Sequence, residues 1–168
     1  MISDQKSRQL EARVEKLKPV HKTCSQVSFA VLNEQFKLNA DQVIPALMLF
    51  AGGIAGKGET CGAVTGSLLA MGFYFQPLNQ TGSSGEYGGL FFNRFMTEFG
   101  STRCREIVRH QYGRYYDFNN PEEKKVFAEV SQKSGKCMDV VKTAVLIAGD
   151  IILDTLQTTG KHHEISKI

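Results

Sequence analysis

Four cysteines, Cys24, Cys61, Cys104 and Cys137, are the residues of this 168-residue chain best suited to chemistry. They lie 37, 43 and 33 positions apart with no CxxC pair among them. An even count does not imply disulfides in a reducing compartment, so metal binding, thiol redox chemistry and simple burial are the alternatives. For a lone cysteine burial is the default, because a free thiol packs as a small hydrophobe. Here all four fall in the first turns of separate predicted helices, where orphan N–H groups and the positive end of the dipole favour a thiolate. Lys57, Arg103, Arg105 and Lys136 lie beside them in sequence and would pull the same way.

The stretch AGGIAGKGETCGAVTG around Cys61 invites a phosphate-cradle reading. It fails on position. The phosphate loop needs G-x-x-x-x-G-K-[ST], and here Ala51 replaces its first glycine and Gly58 its hydroxyl. The dinucleotide pattern fails too, since Cys61 stands where the third glycine belongs and no strand precedes the segment.

The elements that must position the cysteines read as helices. Residues 4 to 17 form a charged helix with a thin stripe of Leu10, Val14 and Leu17, ended by Pro19. A second starts near Thr23 and runs to Phe36. In VIPALMLFAGG, Pro45 should kink a third or reset its start. From Thr60 the pattern TCGAVTGSLLAMGFYF is helical, and Gly62, Gly66 and Ala70 form one smooth face for close approach of another helix. PLNQTGSSGEYGG reads as a turn-rich loop, a candidate lid. LFFNRFMTEFG and STRCREIVRH are helical, the latter capped by Ser101 or Thr102. Asn120 with Pro121, Glu122 and Glu123 opens the next. The last runs from about Ser134 and Gly135 to Thr158, with Gly160 as its stop.

The sum is an all-α, single-domain helical bundle of about six or seven helices over 1–168, with an N-terminal helix in 1–19 and a polar tail in 159–168. Hydrophobic residues make up 42% and charged residues 22%, an ordinary balance for a folded soluble protein. The net charge of +3 is spread without a basic run, so no nucleic-acid partner is expected. The polar start lacks an export signal and AVLIAGDIIL is too short to span a bilayer, so a cytoplasmic protein without membrane insertion is expected. The stripe on the first helix makes a homodimer plausible.

One cysteine, a CGAxxG motif (Cys61 to Gly66, within GKGETCGAVTG) and two further single cysteines, Cys104 in GSTRCRE and Cys137, resemble the bacterial and archaeal C-GCAxxG-C-C family, over about residues 20–157. The resemblance implies a small helical redox-active protein, similar in fold to the cluster-binding part of split-Soret cytochromes. No CxxCH is present, so no covalent c-type haem is expected. The leading expectation is an electron-transfer module whose metal ligands, Cys24, Cys61, Cys104 and Cys137, hold an iron-sulfur cluster, with Gly58, Gly62 and Gly66 letting backbone approach it. The redox partner protein is unknown. The runner-up is a thiol-disulfide oxidoreductase with Cys61 as the low-pKa nucleophile. A structural zinc site is the third, although its ligands usually come as CxxC knuckles.

Other residues are weaker. His21 could replace a cysteine as ligand but more simply caps or is solvated. His162 and His163 belong to the tail. Phe91, Phe92, Phe95 and Phe99 read as core that could shield a cluster, and Tyr112, Tyr115 and Tyr116 as rim or interface.

Overall fold

The computed structural model describes residues 3–76 and 84–159. Among them are seven α-helices and one long 3₁₀ segment, and no strand beyond an isolated antiparallel bridge between Thr60 and Arg103. The all-α expectation holds, with one helical element more than its upper count.

Helix α1, Asp4–Leu17, is capped by Ser3, and its stripe of Leu10, Val14 and Leu17 is buried within the chain against α2, Cys24–Phe36, and α7, Lys136–Thr159. Ion pairs of Arg13 with Glu34 and of Lys142 with Glu15 (2.7 Å) fasten it to the same two helices. The apolar stripe is therefore satisfied at home, and the reason it offered for a second copy is gone. Helix α2 is the central helix, and its buried polar residues Ser25, Ser28 and Asn33 each find a hydrogen-bond partner. Residues 27 to 33 are all buried. Thr23 caps it, and Lys37 ends it in the left-handed region at φ 52°.

Asp41–Phe50, which holds Pro45, is a 3₁₀ helix rather than a kinked α-helix. Proline removes one N–H, and side chains of α2 claim carbonyls that an α-helix would use itself. Ser25 Oγ donates to Leu47 O at 2.7 Å and Gln26 Nε2 to Ile44 O at 3.2 Å.

Helix α3, Gly62–Phe75, lies across α2 with its glycine face inward as expected. A Cβ at Gly66 would meet the Ser25 carbonyl oxygen at 2.3 Å. Helix α4, Ser84–Phe99, corrects the long-loop reading, because SGEYGG is its first turn and a half. The rest of that loop, 77–83, lies outside the described residues. Tyr87 stacks on Phe75 with ring centroids 4.2 Å apart, and such packing outweighs the poor helix propensity of Gly and Ser. Phe91 and Phe95 are fully buried, and Arg94 pairs with Asp150 at 2.6 Å to hold α4 on α7.

Helix α5, Cys104–Tyr112, is capped by the backbone of Arg103, with Ser101 Oγ accepting the Arg103 N–H at 3.0 Å, so neither Ser101 nor Thr102 is the cap. Helix α6, Pro121–Ser134, opens as expected, Asn120 Oδ1 accepting from the N–H groups of Glu122 and Glu123. Gly135, at φ 72°, turns the chain into α7, whose Val141, Ala144, Val145, Ala148 and Ile152 complete the core. The expected stop at Gly160, the tail and its histidines lie outside the described residues.

Candidate functional site

The cysteines occupy equivalent places on four helices. Cys24 is the first residue of α2, Cys61 the N-cap of α3, Cys104 the first residue of α5, and Cys137 the second residue of α7. None spends its sulfur as a cap. All four thiols are free, and all four line one cavity of about 700 Å³. Four helix N-termini thus converge on one space, each contributing about half a positive charge.

Two devices bring these helix starts together. The first is the bridge at Thr60 and Arg103, where Cys61 N–H donates to Thr102 O at 2.8 Å and Cys104 N–H to Glu59 O at 2.6 Å. It sets the starts of α3 and α5 beside each other. The second is the glycine-rich loop, which is neither a phosphate cradle nor a linker. Gly52, Gly53, Ile54, Ala55 and Gly56 are consecutive residues with φ between 51° and 73°, one left-handed turn. Each non-glycine residue there costs about 1–2 kcal/mol. The turn is closed by bonds from Ala55 N to Leu49 O (2.7 Å) and Gly56 N to Ala51 O (3.0 Å), and it aims the Gly52 N–H at the Cys24 sulfur. At Gly53 a Cβ would lie 2.7 Å from the Cys104 Cβ.

Cys24 and Cys61 form a hydrogen-bonded pair. The Cys61 thiol donates to the Cys24 sulfur, and with the N–H groups of Gly52 and Ser25 it outweighs burial and draws the Cys24 thiol down to about 7. The same bond, with burial, holds Cys61 well above the usual thiol range. Cys24 has the better claim to the negative charge because it collects more backbone donors, whereas Cys61 has that of Ala63. Burial raises Cys104, and Arg105 only partly offsets it. Burial also raises Cys137, against a hydrogen bond from the Tyr112 hydroxyl. This reverses two expectations: neighbouring cations do not generally depress these thiols, and the readily ionised one is Cys24, not Cys61.

Gly58, Gly62 and Gly66 lie off the cavity wall. Gly62 backs onto Cys24, where a Cβ would meet Sγ at 2.4 Å, and Gly66 lets α2 and α3 touch. Gly58, at φ 75°, lies under the Tyr115 hydroxyl and Arg105. None of the three lines the cavity. His21 does not line it either, whereas Tyr112, read only as rim, touches Cys137. The pair Phe91 and Phe95 is plain core. Sequence reasoning missed the Gly52 N–H and the Tyr112 hydroxyl. The density of glycines before Cys61 was the available sign of the first, and nothing in the pattern marks the second.

The donor set suits a thiolate-held metal group. As packed, no three His, Cys, Asp or Glu side chains among the described residues sit close enough to hold one metal ion. A single zinc would need all four sulfurs at about 2.3 Å from one point, which this spacing does not provide. No helix among the described residues is long and apolar enough to cross a membrane.

No curated protein and no solved structure matches the chain significantly, so the similarity in fold to split-Soret cytochromes rests on the family resemblance alone. The family model described as "Putative redox-active protein (C_GCAxxG_C_C)" matches residues 22–151, more than three quarters of the chain, with all four cysteines inside the match. The chain belongs to the C_GCAxxG_C_C family.

Proposed function

We propose that Cys24, Cys61, Cys104 and Cys137 hold an iron-sulfur cluster and that the protein is an electron-transfer module. The observation that carries this reading is the arrangement of four thiols at four helix N-termini around one cavity. A cluster spreads its ligands over several metal atoms, so it suits sulfurs that share a cavity without closing on one ion. When bound, it supplies a site that gains and loses one electron with little rearrangement. The chain's own part is to supply the thiolates, to aim N–H groups such as that of Gly52 at a ligand sulfur, and to bury the site. Both of the last two tune the potential.

The test is a visible spectrum with iron and acid-labile sulfide analysis on protein purified without oxygen, repeated on Cys61→Ser. Thiolate-to-iron charge-transfer absorption with matched iron and sulfide, lost in the variant, is the expected result. Colourless, iron-free protein overturns the reading.

The Cys24–Cys61 hydrogen bond favours a second reading, thiol-disulfide exchange with Cys24 as nucleophile. The Cys24 thiolate attacks one sulfur of a substrate disulfide, and the other leaves as a thiolate. Cys61, once deprotonated, then attacks the Cys24 sulfur. The substrate disulfide is reduced to two thiols and the protein dithiol is oxidised to a Cys24–Cys61 disulfide, a two-electron exchange. Iron-free protein that loses two thiols reversibly, one of them Cys24, would select this reading over the first.

A further inference from the structure

The cavity holds more than cysteines. At about 700 Å³ it falls within the about 300–1,000 Å³ typical of small-molecule sites. The wall away from the cysteines is apolar, formed by Phe118, Phe127, Ala128 and Met138, and at the lip by Met48 and Leu49, which are 59% and 67% exposed. Exposed Lys18, Lys22 and Lys124 also line it, from the end of α1, the α1–α2 link and α6. None of the three is in an ion pair among the described residues, and no carboxylate lines the cavity. Glu15, the acid that feels Lys18, is itself paired to Lys142 at 2.7 Å. Polar neutral groups of Thr23, Asn119, Ser131 and Gln132 complete the lining. Apolar walls, a few polar groups and unneutralised cations at the mouth are complementary to one ligand chemistry.

We propose that this cavity binds a small organic anion with an apolar body, its charged end held by Lys18, Lys22 and Lys124 and its body against Phe118 and Phe127, beside the cysteines. The inference rests on the redox reading only for its significance, since it names the class of molecule that would exchange electrons there. Binding itself depends on residues that are not cysteines. An acidic partner protein is the competing occupant of a basic mouth, but it would not fill an apolar chamber of this depth.

The probes are 8-anilinonaphthalene-1-sulfonate and its neutral parent N-phenyl-1-naphthylamine, titrated calorimetrically into the full chain as purified. The expected result is one site that prefers the sulfonate, a preference reduced about tenfold or more in Lys18→Gln/Lys22→Gln/Lys124→Gln while the neutral probe binds as before. Ala128→Trp, which fills the chamber from the exposed face of α6, should abolish both. Equal binding of the two probes by the wild type, or a sulfonate preference that survives in the triple variant, overturns the proposal. So does binding that survives Ala128→Trp, which places the probe on the outer surface. Failure of both probes to bind also overturns it and leaves the lysines to a larger acidic partner. Iron and sulfide measured on the same preparation report the cluster reading separately, so either idea can fail alone.

Discussion

Helix α3 contains an internal experiment in glycine. Gly66→Ala places a Cβ 2.3 Å from the Ser25 carbonyl oxygen, 3.1 Å from its carbon and 3.2 Å from the Phe29 nitrogen. All three are backbone atoms of α2, so no rotamer relieves the clash. Ordinary contact begins at 3.4 Å, and the two helices must part by about 1 Å. Overpacking of this kind costs about 1–3 kcal/mol, occasionally more, and parting α2 from α3 also loosens the fully buried Phe29 and Val64. Against that, alanine returns about 1 kcal/mol of helix propensity. The net loss is about 1 kcal/mol, a fall of roughly 2–4 °C in Tm for a chain of this size. Gly72, one turn and a half further on, has nothing within 4 Å of its Cβ position, so Gly72→Ala keeps the propensity gain and should raise Tm by about 2–4 °C. Gly62→Ala meets first the Cys24 sulfur, the end of a side chain that can turn away. It should cost less stability than Gly66→Ala but break the Cys24–Cys61 bond. Calorimetric melting of the three variants, with metal content held equal, checks the order. A Gly66→Ala protein that melts at or above the wild type, beside a Gly72→Ala protein that gains nothing, would refute the packing argument.

Three more predictions come from the thiols and the loop. In metal-free reduced protein, alkylation of Cys24 should show a midpoint near pH 7, with the other three cysteines unreactive until above the ordinary value of 9.0; Cys61→Ala removes the largest lowering influence and should move the Cys24 midpoint up, as peptide mapping would reveal. A thiol depressed in the fold stabilises it above the unfolded value and loses that contribution as pH falls through about 7. The three raised thiols act oppositely, destabilising the fold only above about 9. Thiol-dependent stability should therefore rise from about pH 7 to 9 and decline beyond, and Cys24→Ala should flatten the rising limb. Ile54, a β-branched residue at φ 54°, stands in the left-handed turn at a cost of about 1–2 kcal/mol. Ile54→Gly relieves it at about 0.5–1 kcal/mol of chain entropy, so urea unfolding should show a gain of about 0.5–1 kcal/mol.

What could be read without coordinates was what local chemistry decides. Asn120 with Pro121 and two glutamates specifies a helix start in four residues, and the cysteines could be placed at helix starts because caps are local signals. The i, i+4 glycines of α3 announced a close approach because only another backbone needs such a face. What escaped was decided by distant partners. Pro45 was visible, but the 3₁₀ form of its segment depends on Ser25 and Gln26, which take its carbonyls from 18 to 22 residues away. Ser84 to Gly89 looks like loop until Tyr87 finds Phe75. The order of thiol acidities likewise follows from which sulfur the Gly52 N–H reaches, a consequence of five positive φ angles that composition does not encode.

Helix α6 has no fully buried residue, and it holds to the body through Phe127 against Tyr112, Tyr116 and Phe118. Yet this thinly anchored helix carries Lys124, Phe127 and Ala128 of the cavity wall. Its amide hydrogens should therefore exchange through an opening much smaller than global unfolding, while those of α2 and α3 wait for the whole fold to come apart. Opening of that wall is thereby uncoupled from the rigidity that aligns the thiols: a guest of the proposed class would come and go many times in the life of one folded core.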